Sequence, residues 1–500
     1  MLCGCALEAT TPLINNATTR LIKVFVSQDE CQPEGAFLSF RNDDHLHYHP
    51  YRDDFGPLNL SSTVHFIRLL DQMVSECVSS NVSQLVYCVE SGRRPLTTAV
   101  MLLGCYMILM QDKTPDQVAE QFAWIGQEQL EDFRDATDLP SDFGLTLLDC
   151  WRGLHRGQQL RWITRPSRPG SSFWGAIDME QYKHCDNPLE ADLVEVVPLK
   201  LMAFRGPKDL GGARYADDEA QWSRRFGPEH FADVLRDLDA SDVVRLNAPE
   251  YDAAVFAAAG VRHHDLFFED CTTPPADVVA AFFRIVDAAP GAVAVHCLAG
   301  LGRTGTLIAL YMMRTHGFTA RAAMGWLRLM RPGSVIGEQQ HYLCAVERLL
   351  YDPPAAGPRP LISSVHNHDG EPVARPSQDR PAAGAVPREA ARPAVDPAAG
   401  RRGMLTRSHS TGSLSSSPSP PPAAHPAPAG AGSAALGAAG LGAAGLATGP
   451  GVGALAGHDA DRLSWERARE EAAQVAAAMG RQSAARVRAG RAALGRSASE

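Results

Sequence analysis

The ten residues His296-Cys297-Leu298-Ala299-Gly300-Leu301-Gly302-Arg303-Thr304-Gly305 constrain this chain more than any other stretch. They follow the apolar run 291–295, which reads as a short buried strand, and lead into the apolar run 306–313, which reads as one face of a helix. The loop therefore turns on a helix N-terminus, where free backbone N–H groups and the positive end of the helix dipole favour an anion. Gly300, Gly302 and Gly305 let successive amides converge on one oxyanion. Arg303 adds a planar, permanently charged fork matched to two phosphate oxygens. Cys297 sits in the same electropositive bowl, which favours its thiolate. A nucleophile in a phosphate cradle points to phosphoryl transfer through a phosphocysteine.

Other readings of this loop fit less well. Residues 300–305 also spell G-x-G-x-x-G, but no Asp or Glu lies between Arg303 and Gly337, so the acidic partner of a dinucleotide fingerprint is missing. The lysine of a Walker loop is missing too. A strand cysteine is by default a small hydrophobe, yet His, Cys, Gly, Gly, Arg and Thr at these fixed offsets together favour catalysis.

The chain has 500 residues and a formal net charge of -10, which argues against general nucleic-acid binding. Its 11 cysteines show no paired metal-ligand spacing, so reduced thiols, no metal and an intracellular setting are expected. The N-terminus lacks the basic and apolar regions of a secretory signal.

Strand-like runs such as 21–26, 84–89, 243–246 and 265–268 alternate with helical ones such as 276–289, an α/β pattern. The expected organisation is a first unit over 1–158, a linker over 159–172, a second unit over 173–352 and a tail over 353–500. Ser141 to Arg156 reads as a helix that either joins the units or belongs to the first core. The tail is rich in Ala, Gly, Pro and Ser and lacks the large apolar residues that offset ordering entropy. Within it, 426–457 is uncharged over a membrane-spanning length, but its Gly and Pro content favours a linker over a span. Ser464 to Leu494 reads as a solvated helix.

The two units echo one another. Cys88, Gly92-Arg93-Arg94, Tyr106, Thr114 and Trp124 parallel Cys297, Gly302-Arg303, Tyr311, Thr319 and Trp326. Cys88 and Arg94 even keep the Cys-x5-Arg spacing. Glu90, however, puts a carboxylate where an anion would sit, and Pro95 removes an amide from the helix start. The first unit is therefore expected to be noncatalytic.

Ester cleavage by a thiolate needs a proton donor for the leaving oxygen, on a loop able to close over the site. Residues 267–274 supply such a loop after a strand, with Glu269 or Asp270 as the acid.

At this point several separated motifs are in hand: Val244-Arg245-Leu246-Asn247, His264-Asp265-Leu266-Phe267-Phe268 with Asp270, the loop 296–306, Arg331-Pro332-Gly333-Ser334-Val335-Ile336-Gly337 with Gln339-Gln340, and Asp53-Asp54-Phe55-Gly56-Pro57-Leu58-Asn59-Leu60. Together they closely resemble the cell division cycle 14 phosphatases, over about residues 20 to 350. The resemblance implies two tandem dual-specificity-phosphatase-like domains joined by a linker helix, the second one active, with no cofactor. It selects Asp270 as general acid, Cys297 as nucleophile and Arg303 as phosphate clamp. Gln339 or Gln340 would position the hydrolytic water, Thr304 would assist the leaving thiolate, and the amides of Leu298, Ala299, Gly300, Leu301 and Gly302 would bind phosphate, with His296 ordering the loop. Substrates would be phosphoproteins, favouring phosphoserine-proline sites with a downstream basic residue held in an acidic groove. Asp186, Glu190, Asp192 and Glu195 are the groove candidates. The family also implies roles in the cell cycle or at cilia and the cytoskeleton, in the nucleus or cytoplasm, including centrosome, spindle or cilium.

The sequence departs from the family at Leu298, Cys271 and Glu338, where Lys, Gly and Pro are usual. Leu298 and Leu301 make the bowl less basic, which counts against a phosphoinositide substrate. Cys297, Arg303 and Asp270 are all present, which counts against a catalytically silent binding module.

Overall fold

The computed structural model describes residues 11–13, 20–27, 35–43, 46–50, 53–137, 142–218, 223–351, 470–477 and 479. The run 426–457 singled out in the tail lies outside them. Among the described residues no helix is long and apolar enough to cross a membrane.

The first half is built on the strands Thr11–Leu13, Arg20–Ser27, Gln84–Cys88 and Leu38–Arg41, in that order across the sheet. Arg20–Ser27 and Leu38–Arg41 both run parallel to Gln84–Cys88. Two long helices cover this sheet. Leu60–Ser79 begins at Asn59, whose side chain accepts from the Ser62 amide, and Arg93–Gln111 is buried without a break from Leu96 to Leu109. The alternation of short apolar runs with helical ones is thus the α/β layering it predicted.

The second half carries a five-stranded sheet in the order Arg262–Asp265, Ala240–Arg245, Ala292–His296, Leu201–Phe204, Leu193–Val197. All neighbours are parallel except the last pair, which forms an antiparallel hairpin. The helices Ala276–Ala288, Gly302–His316, Ala320–Met330 and Glu338–Tyr351 follow the active-site strands.

Three expectations are corrected. The strand expected at 265–268 is Arg262–Asp265, and the chain then leaves the sheet, although the Leu266 and Phe268 amides still donate to Arg245 and Leu246 carbonyls at 2.9 and 3.3 Å. The helix expected from Ser141 begins at Leu147 and ends at Gln159. Leu145 is held extended by paired bonds with Phe133, and Thr146 then closes a capping box with Asp149. In the tail, 470–477 and 479 are helical, but Ala472, Val475, Ala476 and Met479 are buried rather than solvated.

The Leu147–Gln159 helix fixes the two halves together. A Cβ on its Gly153 would stand 2.5 Å from the Ala322 carbonyl, and one on Gly325 would stand 2.6 Å from the Asp149 carbonyl, so the two helices cross at backbone contact. Arg321 Nε donates to Asp149 at 2.9 Å, and Arg156 Nε to the His316 carbonyl at 2.9 Å. This helix therefore packs on the second half as closely as on its own.

The echo between halves is physical in part. Thr114 and Thr319 each cap the N-terminus of the helix that follows. Trp326 is fully buried, whereas Trp124 is an exposed residue, so the tryptophans are not counterparts.

Candidate active site

Ala292–His296 is the central strand, buried along its whole length, and it delivers Cys297 to the carboxyl end of the parallel sheet, where ligands of such sheets bind. The helix begins at Gly302 with no side-chain cap, which leaves first-turn amides for an anion. Gly300 has φ +70°, and a Cβ there would lie 2.1 Å from the Phe204 carbonyl oxygen, so only glycine fits.

The loop carbonyls are all bonded outward. The Gly206 amide donates to Leu298 at 3.1 Å, Arg331 Nη2 to Ala299 at 3.0 Å and Arg331 Nε to Gly300 at 3.1 Å. A peptide whose C=O is held on one side presents its N–H on the other, so the amides following these carbonyls face the bowl. Arg331 is itself anchored by the Asp192 carboxylate at 2.7 Å. Sequence reasoning gave Arg331 no role, although it lay within a quoted motif.

Cys297 is buried at the base of this bowl, and the Arg303 guanidinium lies beside the acid loop. Arg303 Nη1 donates to the Phe268 carbonyl at 3.0 Å and the Leu246 carbonyl at 3.3 Å. Its Nε stands 3.0 Å from the Asp270 carboxylate, an ion pair without hydrogen-bond alignment. One arginine thus joins the phosphate cradle to the loop that carries the acid. The Thr304 hydroxyl is buried and has no hydrogen-bond partner among the described residues, which leaves it available to sulfur or a phosphoryl oxygen.

His296 is fully buried between the Cys297 carbonyl, 3.0 Å from Nδ1, and the Tyr251 hydroxyl, 2.7 Å from Nε2. The carbonyl can only accept, so Nδ1 carries the proton and Tyr251 donates to Nε2. Burial pushes its pKa down to about 3, which keeps it neutral, and no proton-transfer role is open to it. Tyr251 lies under the Arg245 guanidinium, whose carbon is 4.6 Å from the ring centroid, and no sequence signal marked it.

Gln339 and Gln340 separate. Gln339 Nε2 donates to the Thr272 carbonyl at 3.0 Å, and a Cβ on Gly302 would approach its Oε1 to 2.9 Å, so this amide lies between acid loop and cradle. Gln340 Oε1 accepts from the buried Arg328 at 2.7 Å, turned into the core.

Of the groove candidates, Asp186 lies at the junction of the halves, accepting from Asn59 Nδ2 at 2.8 Å, and burial pushes its carboxyl up to about 6. Asp192 pairs with Arg331, Glu195 accepts from the Leu199 amide in the adjacent hairpin turn, and Glu190 is exposed on the side of Arg224. In the first half, Arg94 is engaged by Glu131 at 2.8 Å and Asp53 at 3.1 Å beside a cleft of about 270 Å³ that Cys88 and Glu90 help to line. Its guanidinium is neutralised by two carboxylates, a feature of the twin loop beyond the Glu90 charge.

The chain thus sets a cysteine in a glycine-rich loop between a central strand and a helix, with the loop of Asp270 tied to Arg303. A model described as "Dual specificity protein phosphatase, N-terminal half" matches residues 16–157, and one described as "Polymorphic toxin system, DSP-PTPase phosphatase" matches residues 227–317. Similar curated proteins include dual specificity protein phosphatase CDC14C of Homo sapiens, 34% identical over 62% of this chain and 66% of that one. The tyrosine-protein phosphatase CDC14 homolog of Schizosaccharomyces pombe is 34% identical over 61% and 55%, and cdc-14 of Caenorhabditis elegans 32% identical over 65% and 44%. This chain is similar to the CDC14 phosphatases over about three fifths of its length. It spans no more than 66% of the length of these relatives.

Proposed function

We propose that this chain is a metal-independent protein phosphatase acting on phosphoserine, phosphothreonine and phosphotyrosine, with residues 1–158 noncatalytic, 159–172 a linker, 173–352 catalytic and 353–500 a tail. The observation that carries the reading is Arg303, which bonds the acid loop and faces Asp270 at 3.0 Å from within the cradle of Cys297. The Cys297 thiolate attacks phosphorus in line, the P–O bond to the substrate breaks, and protonated Asp270 gives its proton to the departing oxygen. Water, oriented by Gln339, then attacks the phosphocysteine while Asp270 takes its proton. The thiolate leaves with Thr304 hydrogen-bonding to sulfur. The loop amides and Arg303 carry the charge that develops on the equatorial oxygens.

Phosphoserine-proline sites with a downstream basic residue are the preferred substrates, and Asp186 at the junction of the halves supports this. The acid centre there suits a lysine or arginine side chain. By family likeness the setting is the cell cycle, cilia or cytoskeleton, in the nucleus or cytoplasm. The test uses the full chain with a chelator and a Ser(P)-Pro peptide bearing a downstream Lys. Hydrolysis is expected, with Cys297→Ser inert and Asp270→Ala slowed by roughly 10²- to 10⁴-fold. Dependence on added metal, full activity of Cys297→Ser, or preference for inositol phospholipids overturns the reading.

A further inference from the structure

Three side-chain hydrogen bonds among the described residues tie the acid loop to the rest of the chain. Arg303 donates to Phe268 and Gln339 to Thr272, both from within the catalytic half. The third comes from far along the chain, where the Thr273 hydroxyl donates to the Glu471 carboxylate at 2.9 Å across 198 residues. Glu471 lies on the helix 470–477, whose buried residues Ala472, Val475 and Ala476, with Met479 beyond, fall at i, i+3, i+4 and i+7. That spacing makes one apolar stripe on a helix. The stripe joins the same continuous core as Phe268, Val279 and Tyr342, while Glu470, Ala473, Gln474 and Ala477 stay exposed. Thr273 and Pro274 are buried although Asp270, Cys271 and Thr272 beside them are exposed. The buried Tyr342 hydroxyl has no hydrogen-bond partner among the described residues, and the Glu471 charge acts on it.

We propose that the helix 470–477, with Met479, is a strap acting in cis, docked on the acid loop through Thr273, which positions Asp270 for proton transfer. This rests on the proposed phosphatase function, since it gives the strap a task in that reaction. Glu471 is a positioning residue, because it reaches Asp270 only through the loop. The other two tethers come from residues 303 and 339, so the strap is the one supplied from outside the second half.

The test compares the full chain with Glu471→Ala, Val475→Asp and, on the exposed face, Ala473→Asp. Turnover of a Ser(P)-Pro peptide, whose alkyl oxygen needs an acid, is set against 4-nitrophenyl phosphate, whose leaving group needs one less. Hydrogen exchange over 268–275 is read in parallel. Expected are a peptide kcat lowered roughly three- to tenfold by Glu471→Ala and by Val475→Asp, an aryl phosphate rate changed less than about twofold, faster exchange at 268–275, and no effect of Ala473→Asp. Unchanged exchange, equal loss on both substrates, or faster peptide turnover overturns the strap. A wild-type chain inert on both substrates sinks the phosphatase reading instead, and the exchange data then judge the docking alone.

Discussion

Arg331 grips the Gly300 carbonyl at 3.1 Å, and this bond, with its neighbour to Ala299 at 3.0 Å, sets which way the phosphate loop faces. The Ala299 and Gly300 carbonyls are held by no side chain of the loop itself, so their direction is imposed from a segment 31 residues further on. The cradle is therefore a joint product of the glycines and of a buried arginine.

Replacing that fork by a point charge tests the arrangement. Arg331→Lys keeps the charge facing Asp192 but reaches one carbonyl rather than two. The expected result is a kcat lowered about 10- to 100-fold with circular dichroism unchanged, the scale of losing preorganised oxyanion donors. Wild-type kcat in a folded Arg331→Lys chain would remove Arg331 from the account.

Gly300 and Gly302 are expected to respond differently to alanine. Gly300→Ala puts a methyl 2.1 Å from backbone in a left-handed conformation, and a loss of ~2 kcal/mol or more in urea unfolding is expected, with activity abolished. Gly302→Ala instead meets the tips of Gln339 and Ile336 at 2.9 and 3.0 Å. These side chains can move, so stability should fall by under about 1 kcal/mol while the water-positioning amide is displaced.

The second step isolates Gln339 from Gln340. Gln339→Ala should slow breakdown of the phosphocysteine, seen as a burst of product in rapid-quench kinetics followed by a steady state roughly tenfold slower. Gln340→Ala leaves the buried Arg328 short of an acceptor and should lower the melting temperature without a burst. A burst in Gln340→Ala and none in Gln339→Ala would reverse the assignment.

The pattern of what was legible in the sequence follows from distance along the chain. Cys297, Arg303 and the glycines lie within one turn, so spacing alone fixed their relation. The family pattern put Asp270 rather than Glu269 forward as the acid, and its place 3.0 Å from Arg303 is a relation across 33 residues that spacing does not give. Adjacent helix residues such as Gln339 and Gln340 point about 100° apart, and only the position of Arg328 reveals which one faces inward. The strap was legible only as a helix. A stripe of Ala472, Val475, Ala476 and Met479 has the spacing to dock but no chemistry that names its partner.

A recognition role for Asp186 predicts a substrate preference that depends on pH. Burial, opposed by Arg331 and reinforced by Asp192, pushes its carboxyl up to about 6, so it is neutral below that pH and charged above it. A downstream lysine gains an ionic partner only in the charged form. The ratio of kcat/KM for a Lys peptide over its Ala counterpart should rise roughly threefold to fivefold from pH 5 to pH 7, and Asp186→Asn should flatten it. Because both peptides share the same chemistry, effects on catalysis cancel in the ratio. A ratio independent of pH would leave Asp186 out of recognition.

His296 links the same site to stability. Its pKa is about 3 in the fold, against 6.5 for a free imidazole, because it is buried, with His263 and Arg245 adding repulsion and Asp265 and the Cys297 carbonyl opposing. Between about pH 6.5 and pH 3 the unfolded chain binds a proton that the folded chain refuses, so folding weakens as pH falls through this window. One such group contributes a slope of about 1.4 kcal/mol per pH unit once the unfolded imidazole is fully protonated. His263 and His316 are shifted down as well and add to the measured slope, so the comparison with His296→Gln is what isolates this residue. Urea unfolding at pH 7, 6 and 5 should show the wild type losing stability more steeply than the variant by close to one proton. Equal slopes would mean that the imidazole is protonated in the fold, and the neutral bridge between Tyr251 and the Cys297 carbonyl would have to be abandoned.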